Sequence, residues 1–161
     1  MDKKALLARI VQQLESVYQN AIDAANRAHQ SATDTESIAE NKYDTQGLEA
    51  AYLAEGQARR VHDCEQDLRE FQSFVDVSDS QPVQRVGFGA YVVIEDSAGN
   101  TRQLFMSQVA GGLKFDWQGS ELMLITPSAP LGKAMQGLEI GDEFEVSVKG
   151  EKKTYFISAL S

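Results

Sequence analysis

Residues 5–30 read ALLARIVQQLESVYQNAIDAANRAHQ, and this stretch decides the first half of the fold. Apolar residues recur in it in steps of three and four, without a glycine or proline, which is typical of a coiled-coil helix. The seam changes from large to small side chains along its length: Leu7, Ile10, Leu14, Val17, Ala21, Ala24 and Ala28. We therefore predict a long helix whose partner approaches most closely near Ala28.

A second apolar stripe follows, in which the small residues come first and the large ones last: Ala54, Ala58, Val61, Cys64, Leu68, Phe71 and Val75. Two seams that taper in opposite senses fit together when the helices run antiparallel. We predict a helical hairpin whose tip lies between about residues 30 and 47. Arms of roughly 26 residues would be about 40 Å long at about 1.5 Å per residue.

The pattern changes after Val75, where the polar stretch DVSDSQPVQ indicates a domain boundary. Shorter apolar segments follow and predict antiparallel strands, with turns at Gly99–Asn100 and Lys149–Gly150. Residues 128–135 predict a short helix with Ser128 as its N-cap. The predicted fold is α+β, an antiparallel sheet with one short helix after the hairpin. Its divisions are an antiparallel coiled-coil hairpin over 1–77, a linker over 78–84 and a second domain over 85–161.

Composition and charge narrow the functional class. The net charge is −9, and the first 80 residues carry −7 of it, which disfavours direct binding to duplex DNA. A role in nucleic-acid chemistry would then run through a protein partner. No run of about 18 apolar residues is present, so we expect no membrane span. The N-terminus lacks the features of a secretory signal, and Cys64 is the single cysteine, so we expect a cytoplasmic protein.

Several C-terminal segments resemble the GreA/GreB family of bacterial transcript cleavage factors. They are VGFGA at 86–90, TPSAPLGKA at 126–134, GLEIGDE at 137–143 and the last strand at 152–160. The resemblance implies an FKBP-like C-terminal domain that docks at the rim of the secondary channel of bacterial RNA polymerase, while the hairpin enters the channel. For the docking surface we expect Pro127, Pro130 and Leu131 to contribute.

The predicted tip, residues 31–49, is acidic. Its one basic residue is Lys42, and its acidic residues are Asp34, Glu36, Glu40, Asp44 and Glu49. The resemblance implies that acidic tip residues help to hold Mg²⁺ in the polymerase active centre, so that the polymerase cleaves its own backtracked RNA. Carboxylate oxygens are suitable Mg²⁺ ligands. Glu40 and Asn41 match the family tip, but its first acidic position falls on Ser37. Our candidates are Glu36 and Glu40, followed by Asp34 and Asp44.

Alternatives remain open from the sequence. The absence of an acid at Ser37 favours a non-cleaving regulator that binds the same channel. The aromatic residues of the second domain raise the prospect of a prolyl isomerase, and the hairpin that of a dimerising coiled-coil adaptor. Arg59 and Arg60 either steer nascent RNA or form surface ion pairs with Glu55 or Asp63. We expect an accessory factor, not an enzyme, without a cofactor of its own, that meets nascent RNA only inside the polymerase complex and is a monomer.

Overall fold

The computed structural model describes residues 1–33, 46–78 and 83–161. Two long helices come first, α1 over Lys3–Thr33 and α2 over Gln46–Val77. The carboxylate of Asp2 starts α1 by accepting a hydrogen bond from the backbone N–H of Ala5, at 3.0 Å. This contact satisfies one of the N–H groups that a helix start leaves without an intrahelical partner.

The two helices form the predicted hairpin, and their buried faces follow the predicted seams closely. On α1, Leu7, Ile10, Leu14, Ala21 and Ala28 are buried, while Val17 and Ala24 are half-buried. On α2, Leu68 and Phe71 are buried, and the other predicted seam residues are half-buried except one.

The exception is Ala58, which is exposed, so its assignment to the seam was wrong. Gln57 is half-buried in its place. The physical reason is the helical repeat: a step of three from Ala54 reaches Gln57, and a step of four from there reaches Val61 on the same face.

The second half is a sheet of six strands with one short helix. The strands are β1 Tyr91–Asp96, β2 Thr101–Met106, β3 Lys114–Trp117, β4 Ser120–Ile125, β5 Glu143–Val148 and β6 Glu151–Leu160. Their order across the sheet is β3-β4-β2-β1-β6-β5. The short helix α3, Pro130–Met135, connects β4 to β5.

The sheet is antiparallel at every pairing except one, and the exception departs from the prediction of a wholly antiparallel sheet. Strands β2 and β4 run parallel, with Gln103 opposite Leu122 and Met106 opposite Ile125. Strand β4 lies between β2 and β3 in the sheet, and it pairs with β3 in an antiparallel hairpin.

The predicted turn between β5 and β6 is confirmed at Lys149 and Gly150. Both residues have positive φ, 52° and 84°. Such a pair is typical of the tight two-residue hairpin turn whose twist matches that of the strands. Inward side chains of β5 and β6 join those of β1, β2, β4 and α3 in one apolar core. Its buried residues are Val86, Ala90, Val92, Ile94, Leu104, Met106, Ile125, Met135, Phe144, Val146, Tyr155 and Ile157.

The chain divides into two compact units. Residues 10–69 form the hairpin unit, and residues 1–9 with 70–161 form the sheet unit. The sheet unit therefore includes the first turns of α1 and the last turns of α2. The predicted boundaries at residues 77 and 85 stay a prediction, and most of the predicted linker, residues 79–82, lies outside the described residues.

Candidate functional site

The acidic residues predicted to help hold Mg²⁺ do not fall in the described part of the chain. Asp34, Glu36, Glu40 and Asp44 lie outside the described residues, and so does Ser37. Their proposed roles therefore stay predictions. Within residues 1–33, 46–78 and 83–161, no group of three or more His, Cys, Asp or Glu side chains is placed to hold a metal ion.

The two adjacent arginines lie on the exposed surface of α2. The guanidinium of Arg59 contacts the carboxylate of Glu55 at 3.5 Å, one helical turn earlier, and both side chains are largely exposed. An exposed ion pair of this kind contributes at most about 1 kcal/mol. Arg60 also acts on its neighbourhood electrostatically. Burial raises the pKa of the Cys64 thiol, and the positive charge of Arg60 opposes that rise.

The predicted docking loop lies between β4 and α3. Pro127 is half-buried, Pro130 is exposed, and Leu131 is half-buried against the apolar core. The hydroxyls of Thr126 and Ser128 share a hydrogen bond of 3.0 Å. The N–H of Ala129 donates to the carbonyl of Thr126 at 3.1 Å. These bonds and the two prolines give the loop a defined conformation, which lowers the ordering cost of binding.

The predicted N-cap of α3 was wrong. Ala129, rather than Ser128, occupies the N-cap position, and no side chain caps this helix start. The cause is Pro130 at the start of the helix, because a proline favours extended backbone in the residue before it. Ala129 has φ −68° and ψ 147°, as this restriction requires. The proline also lacks the N–H that a cap would otherwise satisfy.

Close packing holds α3 against this loop at Gly132. A Cβ atom built on Gly132 would lie 2.0 Å from the carbonyl oxygen of Thr126 and 3.2 Å from the Cα of Pro127. Both neighbours are backbone atoms, so a side chain at this position requires the loop to move. The glycine therefore fixes the distance between the loop and α3.

Residues 137–142 form a second exposed turn, within the segment GLEIGDE that carries part of the family resemblance. Gly137 and Gly141 have φ of +82° and +90°, in the left-handed region that favours glycine. The turn is tied down by a hydrogen bond of 2.8 Å from the N–H of Glu139 to the carboxylate of Asp142. It presents Ile140 to solvent, a feature that the strand pattern did not indicate.

Sequence reasoning also missed exposed apolar residues at the start of α2. Leu48 and Tyr52 are 52% and 65% exposed, although helices of this kind usually bury such residues. The signal was present in the sequence, since both positions fall outside the predicted seam.

The aromatic residues of the sheet unit pack in separate places. The rings of Phe71 and Phe105 lie 6.0 Å apart between centroids, and those of Phe144 and Tyr155 lie 5.8 Å apart. The guanidinium of Arg9 lies 6.0 Å from the centre of the Phe115 ring. These contacts give Phe105, Phe115 and Phe144 packing roles, which counts against a prolyl-isomerase pocket that they would share. Among the described helices, none is both long and apolar enough to cross a membrane.

Residues 81–161 match the family described as "Transcription elongation factor, GreA/GreB, C-term". Over 149 residues the chain is 27% identical to a transcription elongation factor GreA from Neorickettsia sennetsu, covering 92% of this chain and 87% of the relative. A GreA from Rhodospirillum rubrum is 26% identical over 152 residues, 94% of this chain and 90% of the relative.

Among solved structures, the GreA factor homolog 1 of Thermus thermophilus is similar over 98% of this chain and 94% of its own, with 18% identity and a TM-score of 0.40. The family match alone spans half of this chain. The chain therefore belongs to the GreA/GreB family of transcription elongation factors.

Proposed function

We propose that this protein is a transcription elongation factor that binds bacterial RNA polymerase through its secondary channel and stimulates cleavage of backtracked transcripts. The observation that carries the proposal is the match of residues 81–161 to the GreA/GreB family. Similarity to two GreA proteins over 92% and 94% of the chain supports it further, because that span includes the hairpin as well as the sheet.

The chemistry in this proposal belongs to the polymerase, and the protein contributes ligands. Glu36 and Glu40 are the first candidates, with Asp34 and Asp44 next, to help hold Mg²⁺ in the polymerase active centre. Their carboxylates supply the hard oxygen donors that Mg²⁺ prefers. Such a metal ion stabilises charge on the attacking or leaving oxygen during phosphodiester hydrolysis. The factor alone would then have no nuclease activity.

The sheet unit supplies the proposed docking surface on the polymerase. The loop with Pro127, Pro130 and Leu131 is held by hydrogen bonds at Thr126 and by close packing at Gly132. A loop that is already ordered loses little conformational entropy when it binds. Pro130 is exposed and Leu131 is half-buried, so the loop presents apolar side chains from an ordered backbone.

Charge supports indirect contact with nucleic acid. The protein carries a net charge of −9, which repels the phosphates of free DNA or RNA. Arg59 and Arg60 lie on the exposed surface of α2, where they would meet nascent RNA only within the polymerase complex. The ion pair of Arg59 with Glu55 is weak enough to be exchanged for a phosphate contact.

A second candidate function is a secondary-channel regulator that does not stimulate cleavage. The observation that favours it is Ser37, which occupies the position where the resembling family carries an acidic residue. Serine offers a neutral hydroxyl in place of a carboxylate, so it holds Mg²⁺ much more weakly. Such a protein would inhibit transcription or compete with cleavage factors.

A competition experiment tests the polymerase assignment and separates it from the cleavage question. The protein, at increasing concentration, is added to backtracked elongation complexes together with an authentic GreA. We expect it to displace the authentic factor from the polymerase. If the displaced complexes still cleave RNA, the protein is itself a cleavage factor, and if they stop, it is the regulator. Absence of displacement at any concentration contradicts both candidates.

A further inference from the structure

No further inference is drawn: the strongest candidate, a largely apolar groove of about 330 Å³ beside β4 that is lined by Gly112, Met123, Ile125, Thr126 and Ala129, includes Thr126 of the docking loop and so belongs to the docking surface already proposed.

Discussion

Gly132 allows α3 to pack closely against the docking loop, because it has no side chain. Its Cβ would lie 2.0 Å from the backbone oxygen of Thr126. We predict that Gly132→Ala lowers the free energy of unfolding by about 1–3 kcal/mol, as overpacked sites commonly do. Urea denaturation measures the loss. The control is Gly87→Ala, where an added Cβ meets nothing within 4 Å, and equal losses in the two variants would contradict the packing account.

Asp96 gives the turn between β1 and β2 a dependence on pH. Hydrogen bonds from the side chain of Asn100, then from its backbone N–H and that of Ala98, lower the pKa of the Asp96 carboxyl. Because the pKa is lower in the folded state, these bonds stabilise the fold above the ordinary pKa. The stabilisation is lost as the pH falls through the folded-state pKa.

We therefore predict that the wild type is more stable than Asp96→Asn at neutral pH and that this advantage shrinks on acidification below about pH 4. Thermal unfolding measured from pH 7 to pH 3 checks this. Asn100→Ala serves as the paired variant, because it removes the side-chain hydrogen bonds to Asp96 and should reduce the same pH dependence. An advantage that is constant across this range would refute the assignment.

At the residue scale, the sequence predicted much of what the structure shows, and the failures have local causes. The turn at Lys149–Gly150 was predictable because few residue pairs adopt two successive positive φ angles. The N-cap of α3 was not predicted correctly. Pro130 restricts Ala129 to extended backbone and so makes it the N-cap, and this effect outweighs the preference of serine for that position. The exposure of Ile140 was missed because a strand pattern gives no information about a turn residue.

At the element scale, aromatic packing anchors the last turns of α2 within the sheet unit. Phe71 is 2% exposed, and its ring lies 5.8 Å from that of Phe74 and 6.0 Å from that of Phe105. Phe105 itself is fully buried in β2. The end of α2 is therefore part of the core of this unit.

We predict that Phe71→Ala costs about 3–5 kcal/mol of unfolding free energy, the usual range for a buried phenylalanine. Chemical denaturation measures the effect. Phe88→Ala provides the matched control, because this ring is 52% exposed and its removal should cost much less. A small loss at Phe71, or an equal loss at both sites, would show that the aromatic packing does not stabilise this unit.

The elements themselves were predictable, whereas one strand pairing was not. Apolar residues in steps of three and four identified both helices. The error in the α2 seam was to include Ala58 instead of the adjacent Gln57. The parallel pairing of β2 with β4 leaves no mark on the alternation of either strand, because side chains alternate with a period of two in both kinds of pairing. The pairing of β2 with β4 joins residues about 19 positions apart, such as Gln103 and Leu122, so it depends on tertiary structure and not on the local pattern.

At the scale of the whole molecule, the proposed function divides between two parts of the chain. The sheet unit carries the proposed docking loop, and the hairpin unit carries Arg59 and Arg60. The family was predictable because residues 126–143 combine prolines and glycines at specific spacings. The exposure of Leu48 and Tyr52 was also predictable, because both residues lie outside the predicted seam of α2.

Transcript cleavage by stalled, backtracked elongation complexes tests the central claim most directly. Wild type is compared with Glu36→Ala and Glu40→Ala, and the length of the RNA is followed over time. We predict that wild type shortens the RNA and that either substitution reduces this activity strongly, because each removes a carboxylate proposed to hold Mg²⁺. Unshortened RNA with wild type, in complexes that an authentic GreA does cleave, would contradict the claim of cleavage stimulation.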